Sequence, residues 1–385
     1  MAGGPGLNAI APVTVEHHES HGGLLTAVDT ARCSTARVDA IIVPTNRPTP
    51  FLTEAVALAR TLGCTLVVLC SGSASVAGTV ALASRVDLVA VDVDRLPPRV
   101  LPGSATAELL RGTDFDRRTD TSLKRNLGLV IARLMDWEHV AFLDDDITVP
   151  TPGDLEVAAG MLSSSIAAVG LAVGGFPDNS VVCHAHRETG GDQGTFIGGG
   201  ALVVGRESTE SFFPTIYNED WFFLLDDFGL RGSAVTGRVI QKPYDPFAGD
   251  ARAQVEEFGD CLAEGVFALL DEGRYAEVRA VGYWEEFLAG RLALIDGILG
   301  KVRDGVRGEE EAHRMEMALL GARKRCAAIR PRFCVDYLDA LAVDRRRWAR
   351  FVRRIGGRHA WRISDAQHAL DVLRLTDCAV HVPRG

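Results

Sequence analysis

Three consecutive aspartates, Asp144, Asp145 and Asp146, are the residues whose type and spacing most clearly indicate chemistry. They follow a short apolar run, VAFL at 140–143, that is typical of a buried strand. Because adjacent carboxylates repel one another, folding alone does not require three of them here. Mg²⁺ and Mn²⁺ are commonly held by one or two carboxylates together with substrate phosphates. Asp144 and Asp146 are therefore predicted to bind a metal, the alternative being a solvated acidic turn.

Glu219 and Asp220 form a second candidate site, because they open a short predicted helix in the segment NEDWFF. A carboxylate placed beside a hydroxyl group can accept its proton during nucleophilic attack, which is general-base catalysis. Acidic residues in a first helical turn are also favoured by the helix dipole, so a structural role is the alternative.

Basic and glycine-rich segments provide a third set of candidates. Lys124, Arg125 and Asn126 lie off the apolar stripe of a predicted helix, where cations can offset the charge of a diphosphate. A solvated basic face is the alternative. Gly199 belongs to a run of three glycines before a predicted strand, and such a run lets a ligand approach the backbone closely.

His184 and His186 are two residues apart in the segment 181–186, whose apolar pattern predicts a strand. On a strand they would share one face, where they could bind a metal or an acceptor. An ordinary polar strand face is the interpretation that we favour.

The elements that must position these residues are predicted from the alternation of apolar runs with helical periodicity. Buried strands are predicted at 38–43, 65–70, 88–93 and 140–143, and later strands at 166–173, 181–186 and 233–241, with a glycine-rich entry at 195–205 into a strand at 201–204. Helices are predicted at 51–62, 76–84, 117–135, 154–162 and 217–225. This pattern indicates an α/β fold whose ligands bind beyond the carboxyl ends of the strands.

The pattern becomes almost entirely helical after the turn-rich stretch PFAGD at 246–250. Helices are predicted there at 256–272, 284–302, 309–330, 334–341, 344–355 and 365–375. A chain of 385 residues is long enough for two domains. We therefore expect a flexible N-terminal segment over 1–36, an α/β domain over 37–250 and a smaller, all-helical domain over 251–385.

Composition argues against several classes of function. The formal net charge of −10 makes the chain a poor polyanion binder, so nucleic acid is not an expected partner. Eight cysteines without a CxxC pair or zinc-site spacing favour a reducing, cytoplasmic compartment. The N-terminus lacks the pattern of a signal peptide, and the apolar runs are too short to span a membrane. The sequence does not indicate an oligomeric state.

Taken in order, the segments VPTNRP, KRNLGL, VAFLDDDI, IGGGALVVGR and YNEDWFF resemble the GT-A glycosyltransferases, most closely the family 2 type. The resemblance extends over about residues 38–247. It implies a Rossmann-like, mostly parallel sheet that binds a nucleotide-diphosphate sugar with Mn²⁺ or Mg²⁺. It also implies transfer of one sugar to a hydroxyl of a soluble or small-molecule acceptor.

The resemblance assigns roles residue by residue. Asp144 and Asp146 match the DxD aspartates that hold the metal and the donor, and Asp220 matches the catalytic base of inverting enzymes, with Glu219 beside it. The donor-binding residues that it implies are Pro44, Thr45, Asn46, Arg47, Ser71, Lys124, Asn126, Asp144, Asp145 and Gly199.

Departures from the family pattern leave alternatives open. The second predicted strand ends in Cys70 and Ser71, where the family often has an acidic residue that contacts the base; Asp92 and Asp94 are candidates to replace it. The QxxRW motif of processive members is absent, which indicates single transfer. The helical C-terminal region is also similar to retaining enzymes of the mannosylglycerate-synthase kind. A nucleotidyltransferase, whose glycine-rich basic loop is replaced here by PTNRP, and a non-catalytic sugar-nucleotide-binding protein are the remaining alternatives.

Overall fold

The four apolar segments predicted as buried strands form the centre of the sheet. They are β1 (Ala40–Thr45), β2 (Thr65–Cys70), β3 (Leu88–Asp92) and β4 (His139–Leu143). All four run parallel, with β1 between β2 and β4, and nearly all of their residues are buried. Helices cover both faces of this part of the sheet, which is why the strands are apolar throughout rather than alternating.

A computed structural model describes residues 17–18, 20–29, 33–177, 179–194, 196–305, 308–359 and 363–384. The remaining strands in these ranges are β5 (Ile147–Thr148), β6 (Ala168–Gly175), β7 (Ala201–Gly205), β8 (Ser233–Gln241) and β9 (Ala379–Val382). Together they form one mixed sheet in the order β5-β8-β6-β7-β4-β1-β2-β3-β9. Strands β5, β7 and β9 oppose the other six, so the sheet is mostly parallel and the predicted α/β class is confirmed.

Helices pack on the two faces of the sheet in separate apolar clusters. They are α1 (Thr53–Leu62), α2 (Val76–Leu82), α3 (Ala105–Leu110), α4 (Thr121–Leu134), α5 (Gly153–Met161), α6 (Val181–Glu188), α7 (Glu219–Phe223), α8 (Asp250–Asp271), α9 (Val281–Arg303), α10 (Glu309–Ala328), α11 (Pro331–His359) and α12 (Ala366–Val372). One cluster joins the sheet to α1, α2 and α5. The other joins it to α4 and continues without a break into the C-terminal helices.

The predicted strand at 181–186 is wrong, because this segment is helix α6. Ser180 caps its first turn, since its side chain accepts a hydrogen bond from the Cys183 N–H, and such a cap stabilises a helix start. His184 and His186 consequently do not share a face, because residues two apart on a helix are rotated by about 200° and so point to nearly opposite sides. The strand predicted at 201–204 agrees with β7, and residue 195 of its glycine-rich entry lies outside the described ranges.

The C-terminal region is largely helical, as predicted, with two differences. The helices predicted at 334–341 and 344–355 are one continuous helix, α11, since no glycine or proline separates them. The region is not all-helical, because β9 returns to the sheet and pairs antiparallel with β3. Of the described helices, none is both long and apolar enough to cross a bilayer.

The segment predicted to be flexible, 1–36, is only partly described. Residues 1–16, 19 and 30–32 lie outside the described ranges. In the described part, His21 is 3% exposed and precedes a single 3₁₀ turn at Gly22–Leu24. The Thr26 N–H donates to the Ser233 carbonyl at 2.7 Å, so part of this segment packs against the rest of the chain.

One buried carboxylate ties the C-terminal helices to the α/β region. Asp344 of α11 is 3% exposed and accepts hydrogen bonds from the N–H groups of Ala105 and Thr106 at 2.6 and 2.9 Å. The hydroxyls of Ser104 and Thr106 donate to the same carboxylate at 2.9 and 2.8 Å. Asp344 therefore pairs with the first two N–H groups of α3 from another helix, while the Ser104 hydroxyl accepts the Ala107 N–H.

Replacing Asp344 with alanine is expected to lower the free energy of unfolding by about 3 kcal/mol, because several buried donors lose a charged acceptor at once. Urea denaturation followed by circular dichroism measures this change. Asp339→Ala is the matched control on the same helix, since its exposed pair with Arg279 should contribute less than about 1 kcal/mol. Equal losses of unfolding free energy in the two variants would show that the hydrogen bonds of Asp344 to the start of α3 contribute little to stability.

Candidate active site

The carboxyl ends of β1 and β4 bring the threonine and aspartate side chains together. The two strands pair in parallel, so Thr45, the last residue of β1, lies beside Asp145, which follows the end of β4. The Thr45 hydroxyl donates to Asp145 Oδ2 at 2.6 Å, and Arg47 Nη1 donates to Asp145 Oδ1 at 2.6 Å. Burial raises the pKa of Asp145, against the effect of both partners. Asp145 therefore fastens the strand ends together.

Asp144 and Asp146 lie where two cavities meet. The larger cavity has a volume of about 380 Å³ and the smaller about 220 Å³, and both are lined by Arg47, Thr121, Asp144 and Asp146. The smaller one lies against the ends of β1 and α4, and the larger one extends to α7 and α8. The two flanking aspartates thus border both spaces.

Arg125 connects the aspartates after β4 to the acidic pair that opens α7. It is buried, and its Nη2 donates to Asp144 Oδ1 at 2.9 Å while Nη1 donates to Glu219 Oε1 at 2.8 Å. Arg117 also approaches Glu219, with Nη1 3.4 Å from Oε2. Burial acts to lower the pKa of Arg125, but Asp144 and Glu219 outweigh it and raise that pKa. The guanidinium therefore stays charged.

Asp220 lies on the wall of the larger cavity, where two backbone groups hold it. The Gly199 N–H donates to Oδ2 at 2.6 Å, and the Trp221 N–H donates to Oδ1 at 2.9 Å. Burial, and then the neighbouring Glu219 carboxylate, raise the pKa of Asp220 to about 6, while Arg125 acts in the opposite direction. A carboxyl group with this pKa can exchange protons near neutral pH.

The turn before α7 aims this acidic pair. Asn218 has a left-handed backbone, with φ of 59°, which asparagine adopts more easily than most residues. Its side-chain Nδ2 donates to Asp260 Oδ1 of α8 at 3.1 Å. Helix α8 thus holds the turn, and through it the direction in which Glu219 and Asp220 point.

Most of the predicted donor-binding residues meet at the smaller cavity. Its lining contains Pro44, Thr45, Asn46, Arg47, Lys124, Asp144 and Asp145. The Lys124 Nζ already donates to the Thr45 carbonyl at 2.9 Å and to Ser71 Oγ at 2.6 Å, and it pairs with Asp120. Lys124 and Ser71 therefore join the ends of β1 and β2, and Lys124 has few donors left for a ligand.

Gly199 leaves room for Arg125 rather than for a ligand. A Cβ atom at this position would lie 2.4 Å from Arg125 Nη1, which is closer than non-bonded atoms approach. The neighbouring Gly198 and Gly200 line the larger cavity. Glycine at 199 thus permits the Arg125 bridge and the hydrogen bond to Asp220.

Asn126, Asp92 and Asp94 lie away from these two cavities. The Asn126 amide is occupied by the backbone of Phe213, with bonds of 2.8 Å in both directions, and it lines a separate cavity of about 170 Å³. Asp94 accepts the Gly72 N–H at 2.9 Å, and Asp92 accepts the Asp94 N–H at 3.2 Å. The geometry gives none of the three a place in the lining of either cavity.

His184 is a packed residue rather than part of this site. Its Nε2 lies 2.9 Å from the Tyr244 hydroxyl, and its ring lies against Phe176. Burial, with Arg252 and Arg187 nearby, lowers the pKa of His184 to about 4, so the ring is neutral at pH 7.

Helix α8 contributes a polar face that the sequence analysis missed. Arg252, Glu256, Asp260 and Glu264 are spaced four residues apart and line the larger cavity. Their spacing in the sequence indicates a common polar face, because residues four apart lie on one face of a helix. The helical region and the α/β region therefore enclose this cavity together.

Of the comparisons with known proteins, only the one with solved structures found matches, and the match described here is weak. No protein-family model matches the chain, and no curated protein matches it. A crystal structure of S. aureus TarS 1-349 in complex with UDP-GlcNAc is similar with 11% sequence identity and a TM-score of 0.36, over 75% of this chain and 90% of that chain. Similarity this low assigns neither a fold family nor a function.

Proposed function

We propose that this chain is a glycosyltransferase that moves one sugar from a nucleotide-diphosphate sugar to a hydroxyl of a soluble acceptor. The observation that carries the proposal is the position of Asp144 and Asp146 between two cavities, with Asp220 on the wall of the larger one. A transferase needs adjoining sites for a donor and an acceptor, so that the transferred carbon lies between the leaving group and the attacking hydroxyl. A binding protein needs only one such site.

The smaller cavity suits the nucleotide, since it lies at the carboxyl ends of parallel strands, where α/β sheets bind such ligands. Arg47 is the cation best placed for the diphosphate, because its side chain is 41% exposed and borders both cavities. Arg125 is already paired with Asp144 and Glu219. It would therefore influence the donor site by holding these two carboxylates in position, without contacting the diphosphate itself.

The donor set of the site fits a hard divalent ion. Asp144 and Asp146 both face the cavities, with side chains 36% and 15% exposed, and Mg²⁺ or Mn²⁺ typically takes one or two carboxylates beside substrate phosphates. Asp144 and Asp146 are the residues that would hold the ion. It would supply charge neutralisation for the departing diphosphate.

Asp220 is the proposed general base. In the transfer step the acceptor hydroxyl oxygen bonds to the anomeric carbon, its proton passes to the Asp220 carboxylate, and the diphosphate leaves with the electrons of the broken C–O bond. Glu219 is less suited to this role, because both of its oxygens face arginines. Attack opposite the leaving group inverts the anomeric configuration.

The test of the proposal begins with the donor. A panel of nucleoside diphosphates with Mn²⁺ is screened by thermal shift, because a ligand at a hundred times its Kd adds about 2.7 kcal/mol of stability. The stabilising nucleotide then defines the sugar donors to assay for slow hydrolysis and transfer. Turnover supports a transferase, whereas binding without any turnover would support the sugar-nucleotide-binding alternative.

Asp146→Ala is expected to weaken donor binding at least tenfold, about 1.4 kcal/mol, because it removes a proposed metal ligand. Isothermal calorimetry with the nucleoside diphosphate, in Mn²⁺ and in EDTA, measures the change. Asp296→Ala is the control for loss of one negative charge, since Asp296 of α9 lies in an exposed pair with Arg323 of α10. Donor affinity that EDTA leaves unchanged would contradict the metal requirement.

A further inference from the structure

The described N-terminal segment places histidines against the end of α8. The His21 ring is buried against Trp221 and Phe267, and its Nε2 lies 3.1 Å from Glu264 Oε2. Its other nitrogen, Nδ1, contacts Asp271 Oδ2. Each ring nitrogen of this buried histidine therefore faces a carboxylate.

His18 completes a group of three possible metal ligands. Its ring stacks on His21 with centroids 5.6 Å apart, and its Nδ1 lies 3.7 Å from Asp271 Oδ2. One ligand atom each from His18, His21 and Asp271 lies within 4.8 Å of the other two. Around a tetrahedral zinc ion with bonds of about 2.0 Å, ligand atoms lie roughly 3.3 Å apart, so small side-chain shifts suffice.

We propose that His18, His21 and Asp271 form a Zn²⁺ site, with Glu264 as the residue that orients His21. Two imidazoles and one carboxylate are ligands that zinc accepts, whereas Mg²⁺ and Ca²⁺ prefer oxygen alone. The Glu264 carboxylate accepts the Nε2–H of His21 and leaves the Nδ1 lone pair free for the ion. Such a carboxylate–histidine pair is the usual support of a zinc-bound imidazole.

The consequence of zinc binding is a fixed N-terminal segment. His18 and His21 precede β1, and Asp271 ends α8, so the ion would link parts of the chain 250 residues apart. His21 also lines the larger cavity, next to Trp221. Zinc would thus hold one wall of that cavity in place, and this inference does not rest on the glycosyltransferase proposal.

The alternative is a protonated His21 held between two carboxylates without an ion. Burial acts to lower the pKa of His21, but Glu264 and Asp271 outweigh it and raise that pKa. An imidazolium would then donate to both carboxylates, and His18 would have no essential part. Metal binding and its dependence on His18 separate the two cases.

The experiment uses the full-length chain without a histidine tag, stripped of metal and titrated with Zn²⁺ by calorimetry and with Co²⁺ by visible spectroscopy. We expect the chain to bind one equivalent of Zn²⁺. The Co²⁺ form should show d–d absorption bands with the intensity typical of four-coordinate cobalt. Thiolate-to-cobalt charge transfer should be absent, which excludes the other ligand group of the described residues, Glu257, Cys261 and Cys326.

The variants locate the site. His18→Ala and Asp271→Asn should each weaken Zn²⁺ binding at least about 100-fold, and Glu264→Gln about tenfold, since loss of a supporting partner costs about 10- to 100-fold. His313→Ala, which removes an exposed histidine of α10, and Asp146→Ala should keep full affinity. His18 is partly exposed, so its replacement should leave the melting profile of the metal-free protein unchanged.

Three results would overturn the proposal. The first is the absence of stoichiometric Zn²⁺ binding by the wild-type chain. The second is unchanged affinity in His18→Ala, which would leave the protonated His21 pair as the explanation. The third is an equal loss in His313→Ala or Asp146→Ala, which would show binding by surface histidines or by the aspartates after β4.

Discussion

Asp220→Asn is expected to lower kcat by about 10² to 10⁴ while donor affinity stays within a few-fold of wild type. Asparagine keeps the shape of the side chain but cannot accept the proton of the acceptor hydroxyl. Single-turnover transfer and donor titration, performed side by side, separate the two effects. Glu219→Gln is the matched control, and a smaller effect on the proton-transfer step is expected, because Glu219 is paired with Arg117 and Arg125.

The pH dependence of the transfer rate should show the ionisation of Asp220. Asp220 has a pKa raised to about 6 by burial and by Glu219, and a general base acts only when deprotonated. The transfer rate should therefore be level above pH 6 and fall about tenfold per pH unit below it. This acidic limb should disappear in Asp220→Asn.

The product's configuration completes this test. NMR of the anomeric signal should show inversion if Asp220 is the base. A retained configuration, or near-normal kcat in Asp220→Asn, would remove the assignment and favour the retaining enzymes of the mannosylglycerate-synthase kind.

Arg125→Met is expected to lower the free energy of unfolding by about 3 to 5 kcal/mol, because removing one partner of a buried ion pair leaves uncompensated charge. Glu219 loses its closest cation and Asp144 loses its arginine partner. Methionine keeps much of the side-chain length, so the loss of charge dominates over the loss of volume. Urea denaturation at pH 7 measures the change.

The control for this variant is Arg323→Met, which breaks an exposed pair with Asp296 and should cost less than about 1 kcal/mol. A second readout is the acidic limb of the pH profile. Arg125 acts to lower the pKa of Asp220, so its removal should move that limb above pH 6. Similar stability losses in the two variants would show that the Arg125 bridge contributes little.

Local sequence patterns predict the boundaries of a strand well where turn residues flank it on both sides. Strands Thr65–Cys70 and Ser233–Gln241 agree with their predictions residue for residue. The segment VVCHAH at 181–186 does not by itself distinguish a strand from a helix, because a short segment that is largely apolar fits a buried helix equally well. The deciding feature, the Ser180 cap, acts on the backbone and leaves no periodicity in the sequence.

The environment of α4 shows why some site residues could not be placed from sequence. Lys124, Arg125 and Asn126 lie off its apolar stripe, which for an amphipathic helix predicts exposure. Helix α4 is instead enclosed between the sheet and the C-terminal helices, so all three are buried. Each polar group then binds whichever partner the fold brings near, and only Arg125 reaches the acidic pair.

The polar face of α8 could not be assigned to the site for a related reason. The spacing of Arg252, Glu256, Asp260 and Glu264 shows that they share a helix face, but it does not show what that face covers. The same holds for His18 and His21, because their partner Asp271 lies 250 residues after His21 in the chain. Contacts at this separation arise from tertiary packing alone.

The short strand β9 has a consequence for the order in which the chain folds. It covers the outer edge of β3, an apolar strand that would otherwise present unpaired backbone groups to other molecules. His381 of β9 pairs with Asp87 across 294 residues of chain, so this cover forms only after distant parts have met. A folding intermediate with its helical region still unpacked would expose an aggregation-prone edge, and crowding or slow refolding would act on that stage first.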